Sequence, residues 1–326
     1  MSITQASIGD HKLIVNFIKK YWSKNHILVK NKKLFFYYYV RKKKINFLIL
    51  KNNNELVSIL GYLINHYKKE KYIWLALWTS KPNQIFSGVR LLKNLEEKFD
   101  KKILVLGLSD YATKILKQLN YKILPMNHYY FVNNDIFKFE IIKNPLPNRK
   151  FLLKKNQSSF EELKKINLHK YNYIISQKKF RNFKDFKFKY IDNKFYNYQF
   201  YLLRKKNQKL LIVTRKISVK QKVQKVIRII DAFGNYNLFK YTTDLFIELL
   251  KDKKIEYIDL INYGISPKIF LLSGMNKINY DTTIVPNYFE PFKKKNKKIH
   301  FAYQNKLKKK LIIFKGDGDQ ERPNLI

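Results

Sequence analysis

The two halves of the chain fall into step. At an offset of 154 residues Lys114-Ile-Leu116 meets Lys268-Ile-Phe270, Leu119-Asn120-Tyr121 meets Ser273-Gly274-Met275, and the run Trp74–Trp78 meets Arg228–Ala232. A repeat of this length is a duplicated domain, because solenoid units are shorter. Whatever one half builds, the other builds again. At 326 residues the chain also exceeds what one hydrophobic core usually organises.

Each half reads as strands followed by strand–helix alternation. In the first, Leu13–Trp22 has helical spacing, and Ile45–Leu50 and Glu55–Asn65 are apolar runs joined by the hairpin signal Lys51-Asn-Asn-Asn54. Tyr72–Trp78 follows as a third strand. A helix is predicted over Gly88–Lys98, a buried strand over Lys102–Gly107, a helix over Ala112–Leu119 and a closing strand over His128–Val132. The second half repeats the order, from a hairpin across Lys205-Lys-Asn-Gln208 to a closing strand at Thr283–Phe289. The expected fold class is α/β with a mixed sheet in each of two tandem domains. Prolines and lysines mark 136–155 as a linker between domains at 1–135 and 156–326.

Composition excludes several functions. With no cysteine there is no disulfide, thiolate nucleophile or cysteine zinc site, and the six histidines show no H-x-x-x-H pair, so no metal is expected. Residues 1–10 have neither the basic nor the apolar region of a secretory signal, and no apolar run approaches the roughly 18 residues of a membrane span. A soluble cytoplasmic protein is expected. The net charge of +43 invites a nucleic-acid reading, yet only eight of the 67 basic residues are arginine, the side chain that grips phosphate and guanine with two donors. Lysines scattered among Asn, Ile, Tyr and Phe fit compositional drift better, which disfavours nucleic acid as a partner.

The segments Asn46–Leu50, Leu56–Asn65, Ile73–Trp78, Ser87–Leu92, Leu104–Ser109 and Ala112–Tyr121 resemble the GNAT superfamily of acyl-CoA acyltransferases. The resemblance implies that the strand end at Leu77 and Trp78 lies along the pantetheine arm of acetyl-CoA or another acyl-CoA. It also implies that Ser87, Gly88, Val89 and Arg90, at a helix start, hold the pyrophosphate, where backbone amides make an anion site. Two departures stand out. Arg90 replaces the second small residue of the family's Q/R-x-x-G-x-G/A loop, and Leu116 and Phe270 stand where many members carry a proton-donating tyrosine. Another acid would then be needed, such as Tyr111, Tyr121, His128 or a water.

Nearly the whole chain is similar to tandem GNAT-like proteins of bacterial surface polysaccharide clusters, through Asn127–Tyr130, Arg228–Gly234, Glu256–Asp259, Ile284–Phe292 and Phe314–Asn324. That likeness implies acylation of an amino or hydroxyl group on a sugar or nucleotide sugar. Candidate bases are Asp231, where partial burial would raise a carboxylate unless a nearby lysine holds it in a structural salt bridge, together with His128 and Glu290. Asn287 and Tyr288 at a strand end, and Lys315, Asp317, Asp319, Arg322 and Asn324 in the acidic glycine-containing tail, are candidate substrate contacts. Arg228 and Asp231, three apart on a strand, are expected on opposite faces. A catalytically silent scaffold and a basic nucleic-acid binder remain the alternatives.

Overall fold

The computed structural model describes residues 1–100, 102–150, 158–178, 180–289, 292–304 and 311–318. In chain order the first half runs β1 (Ser2–Ser7), α1 (His11–Tyr21), α2 (Ile27–Lys30), α3 (Lys32–Tyr39), β2 (Val40–Arg41), β3 (Lys44–Asn52), β4 (Glu55–Tyr67), β5 (Glu70–Ser80), α4 (Ile85–Lys98), β6 (Ile103–Leu106), α5 (Asp110–Gln118), β7 (Tyr121–Pro125) and β8 (Asn127–Val132). The second continues with β9 (Ser159–Glu162), α6 (Asn172–Ile175), α7 (Phe183–Phe186), β10 (Tyr198–Lys205), β11 (Gln208–Ser218), β12 (Lys225–Gly234), α8 (Thr243–Leu250), β13 (Ile255–Tyr263), α9 (Pro267–Leu272), β14 (Asn276–Lys277), β15 (Tyr288–Phe289), β16 (Phe292–Lys293), β17 (His300–Gln304) and β18 (Ile313–Phe314).

The chain forms two compact units, one of Met1–Leu124, Ile299–Lys309 and Gly318–Ile326, the other of Pro125–Lys298 and Lys310–Asp317. In the first unit the sheet order is β1-β3-β4-β5-β6-β17-β7. The β3–β4 hairpin closes through Asn53 and Asn54, both left-handed at φ 46° and 62°, which small amide side chains tolerate and which matches the twist of the strands. Alternation along the strands sends Leu48, Leu50, Ile73, Leu75, Ile103 and Val105 to one face, where they bury Leu91, Leu92 and Leu95 of α4 and Leu116 of α5. Each such side chain contributes about 1.5–3 kcal/mol of burial. On the other face Phe35 of α3 stacks on Phe47, ring centroids 5.7 Å apart.

The second unit has the order β14-β8-β13-β12-β11-β10-β9, with β18 pairing β13. Its helix-covered face joins Ile227, Ile229, Ile258 and Leu260 to Leu245, Phe246 and Phe270 of α8 and α9. The repeat therefore extends to register. The parallel pairs Ile73↔Ile103, Trp74↔Leu104 and Leu75↔Val105 recur as Ile227↔Ile258, Arg228↔Asp259 and Ile229↔Leu260.

The chain parts differently from the expected boundaries. The strand at His128–Val132 forms, but it pairs antiparallel with β13 in the second unit, while β17 from near the C-terminus fills the matching place between β6 and β7 in the first. The segment read as a linker is tied down through its described part. The Glu256 carboxylate accepts the amides of Glu140, Ile141 and Ile142, and Asn148 bonds both backbone groups of Val132. The closing strand expected at Thr283–Phe289 is reduced to a bridge from Ile284 to Lys143 and the short pair β15–β16.

Candidate functional site

In the first unit β5 and β6 run parallel only as far as Leu75 and Val105. Past that point β5 continues to Ser80, and opposite β4 it carries one unmatched residue, Ala76, between the pairs Tyr62↔Leu75 and Gly61↔Leu77. This bulge bends the strand away and strengthens its twist. The strands splay, and the opening is a cavity of about 600 Å³. Leu75 to Ser80 and the turn Lys81-Pro-Asn83 line one wall, Val105 to Ser109 with Tyr111, Ala112 and Ile115 of α5 the other. Gly88 completes the wall at α4 because it lacks a side chain. A Cβ there would stand 2.6 Å from Trp78 Nε1 and 2.9 Å from Ser80 Oγ. Ser109 caps α5 by accepting the Ala112 amide at 3.1 Å, and the N-cap Gln84 leaves the α4 N-terminus without a side-chain cap bond. Among its described lining residues the cleft has no acid and no histidine; Lys81 pairs with Glu55.

The second unit repeats the divergence. Between the pairs Thr214↔Ile229 and Val213↔Asp231 the unmatched residue is Ile230. There, however, the chain's own C-terminal segment lies between the strands. Ile313 and Phe314 pair with Tyr263 and Asn262, the Lys315 amide donates to Ile261 O at 3.2 Å, and the Gly316 amide donates to Ile230 O at 3.0 Å.

That segment is held by a buried ion cluster. Lys178 Nζ donates to Asp317 Oδ2 at 2.9 Å and to Asp231 Oδ1. Arg181 Nη1 reaches Asp231 Oδ2 at 2.9 Å and Nη2 reaches Asp317 Oδ1 at 3.3 Å, while the Tyr190 hydroxyl donates to Asp231 at 2.8 Å. Two cations and two carboxylates leave the set neutral, the condition under which buried charge persists. Burial pushes the Asp231 carboxyl up, and Lys178 and Arg181 more than offset it, holding it below the usual carboxylate range. The raised acid expected from the sequence is therefore corrected: its cationic neighbours outweigh its burial. The bulge corrects a second expectation. Val213 and Arg215 share a face, so their partners Asp231 and Arg228 share one too.

His128 lies on β8, 1% exposed, with Nε2 2.8 Å from Asp259 Oδ2. Asp259 also takes Arg228 Nε at 2.8 Å and Nη2 at 2.5 Å, and Arg228 donates onward to the carbonyls of Pro286 and Asn287. Desolvation holds the His128 pKa below its ordinary value despite Asp259, so the ring is neutral, Nε2–H facing the carboxylate.

Of the residues singled out in the sequence, Leu77, Trp78 and Gly88 come together in the first cleft. Ser87 is buried against Gln84 and is not among the lining residues, nor is Val89. Arg90 is exposed, its Nη1 2.9 Å from Met1 Sδ. Asp231 and His128 sit in separate buried clusters of the second unit. Asn287, Tyr288 and Lys315 do meet, Lys315 Nζ donating to Asn287 O at 2.9 Å, but Asn287 Nδ2 is spent on Lys297 O and Asp317 on the ion cluster. Glu290, Asp319, Arg322 and Asn324 lie outside the described residues. The sequence offers a salt bridge from Asp231 to a nearby lysine but singles out neither Lys178 nor Arg181. Arginine is scarce in this chain, and one set among Phe180, Phe183 and Phe186 was the available signal.

The fold of the chain is matched among solved structures. A GCN5-related N-acetyltransferase from Anabaena variabilis ATCC 29413 superposes with a TM-score of 0.58 at 9% identity, over 92% of this chain and 72% of that one. A GCN5-related N-acetyltransferase from Kribbella flavida gives 0.53 at 9%, over 93% and 69%. No protein-family model matches the chain, and no curated protein matches it by sequence. At these identities the likeness is one of fold: the chain is a tandem pair of GNAT-like α/β domains.

Proposed function

We propose that the first unit binds an acyl thioester of coenzyme A, acetyl-CoA or a homologue, and transfers the acyl group to an amine or hydroxyl. One observation carries this reading: beyond Leu75 and Val105 the facing edges of β5 and β6 have no strand partner on each other, and they border a cavity of ligand size. A pantetheine arm carries amides that can continue a ladder on an exposed strand edge. The α4 N-terminus would favour the pyrophosphate. In the transfer the nucleophile bonds to the acyl carbon and gives up its proton, the carbon–sulfur bond breaks, and the thiolate takes a proton.

Tyr111, which lines the cleft together with Tyr21, would serve that last step. Of the donors considered from the sequence, Tyr121 is bound to Glu96 at 2.6 Å and pushed up by burial, and His128 is enclosed in the second unit, whereas Tyr111 lines the cleft at 53% exposure. The acceptor class, a sugar or nucleotide sugar of surface polysaccharide synthesis in the cytoplasm, rests on the sequence resemblance. Calorimetry and thermal shift with acetyl-CoA, followed by thiol release over a panel of nucleotide amino sugars, test the reading. An unchanged melting temperature with acetyl-CoA defeats it. The lack of an acid or histidine in the described lining, with Leu116 in the donor's usual place, supports a second reading, a binder without turnover. That protein would bind acetyl-CoA and release no thiol over the panel.

A further inference from the structure

The sheets of the two units open in the same way, and in the second a described segment of the chain itself lies in the opening. We infer that residues 311–317 are a permanent internal occupant of the second cleft, standing on the strand edges that the first unit offers to a thioester.

The superposition of registers carries the inference. Ala76 and Ile230 are the bulged residues of β5 and β12, each one step past the last parallel pair. In the second unit both exposed edges are used by one short segment. Gly316 N–H bonds Ile230 O on β12, Lys315 N–H bonds Ile261 O on β13, and β18 extends the contact to Tyr263. A pair of amides from one thread, one to each diverging strand, satisfies backbone groups that a buried cleft would otherwise leave bare.

The fit is close enough to exclude a loose tail. A Cβ on Gly316 would stand 2.6 Å from Tyr190 Oη and 2.7 Å from Ile230 O, so only glycine passes there. At the other end of the segment a Cβ on Gly264, whose φ is +93°, would lie 1.8 Å from Leu311 O. Asp317 turns back to accept the Phe314 amide at 2.8 Å and anchors in the cluster of Lys178 and Arg181. Releasing the segment would expose two buried cations with half their counter-charge gone, so a neutral pantetheine arm does not displace it. In this account Asp317, the described acid of the tail, is an anchor. The consequence of one thioester per chain rests on the reading of the first cleft given above.

Hydrogen exchange on the full chain, with and without saturating coenzyme A, tests this together with calorimetric stoichiometry. The amides of 313–317 should exchange as slowly as those of β13, at least about a thousandfold below an unstructured segment, whether or not coenzyme A is present. Protection should rise only at 76–80 and 106–109, with one coenzyme A bound per chain. Free exchange at 313–317, its loosening by coenzyme A, or two molecules bound per chain would overturn the inference. Slow exchange at 313–317 with no coenzyme A bound would uphold the internal occupant and remove the thioester reading of the first cleft. Gly316→Ala should raise exchange at 313–317 by at least tenfold; unchanged protection would count against the fit described.

Discussion

Ala76 and Ile230 hold the same place in the two sheets, 154 positions apart, each the unmatched residue of a bulge at the point where parallel strands part. What lies beside them differs: Ala76 borders a cavity, and the Ile230 carbonyl accepts the Gly316 amide. A duplicated backbone device thus has different surroundings in the two sheets. The bulge marks the divergence in both; among the described residues the first opening is a cavity and the second holds the segment 313–316.

Gly88 makes the first of these openings. An added methyl would stand 2.6 Å from the Trp78 indole nitrogen, which must then move. Gly88→Ala should weaken acetyl-CoA binding about tenfold, roughly 1.4 kcal/mol, with a small change in melting temperature. Calorimetry on the variant checks this, and an unaltered Kd would take Trp78 out of the ligand's path.

Tyr111 reaches the same cleft from the first turn of α5. Tyr111→Phe keeps the ring and removes the proton. If Tyr111 protonates the departing thiolate, kcat should fall by about 10²-fold or more while KM and melting temperature stay put. A wild-type kcat would assign the proton to water.

Much of this was legible in the sequence, and the rest was hidden for physical reasons. The repeat showed because apolar runs such as Trp74–Trp78 and Arg228–Ala232 must bury the same faces. The aromatic and β-branched run His128–Val132 marks a strand but cannot say which sheet receives it, so the exchange of β8 and β17 between units was invisible. A bulge adds one residue without a compositional mark, which is why Arg228 and Asp231 were expected on opposite faces. Leu77, Trp78 and Gly88, singled out through the resemblance to GNAT spacing, line one cavity. Lys178, one lysine in a lysine-rich chain, carried no signal of its burial.

Asp231 separates a structural from a catalytic role. It is fully buried and, with Asp317, neutralises Lys178 and Arg181. Asp231→Asn leaves those cations short of charge and should cost about 3–5 kcal/mol, a fall of roughly 10 °C in melting temperature for a unit of this size. Activity of the folded fraction should be retained. Wild-type stability with lost turnover would instead make Asp231 the base.

Acid should act on the second unit in two stages. The neutral, buried His128 has its pKa below the ordinary value of about 6.5, so the unfolded chain binds the proton first and stability declines as pH drops through that value. Asp231 and Asp259 behave at lower pH. Burial opposes their charge, but Lys178 and Arg181 at the first, and Arg228 at the second, hold both carboxyls below the usual range. Their contribution is complete above the unfolded value of about 3.9 and is lost as pH falls toward the folded one. Denaturant melts between pH 8 and 3 should therefore show a shallow decline beginning near pH 6.5 and a steeper one below about pH 4. His128→Gln should reduce the shallow stage to the part that His11 contributes, since burial and Lys32 also hold that ring below its ordinary value, and leave the steep one. A variant that keeps the whole slope above pH 5 would show that the proton is taken up elsewhere.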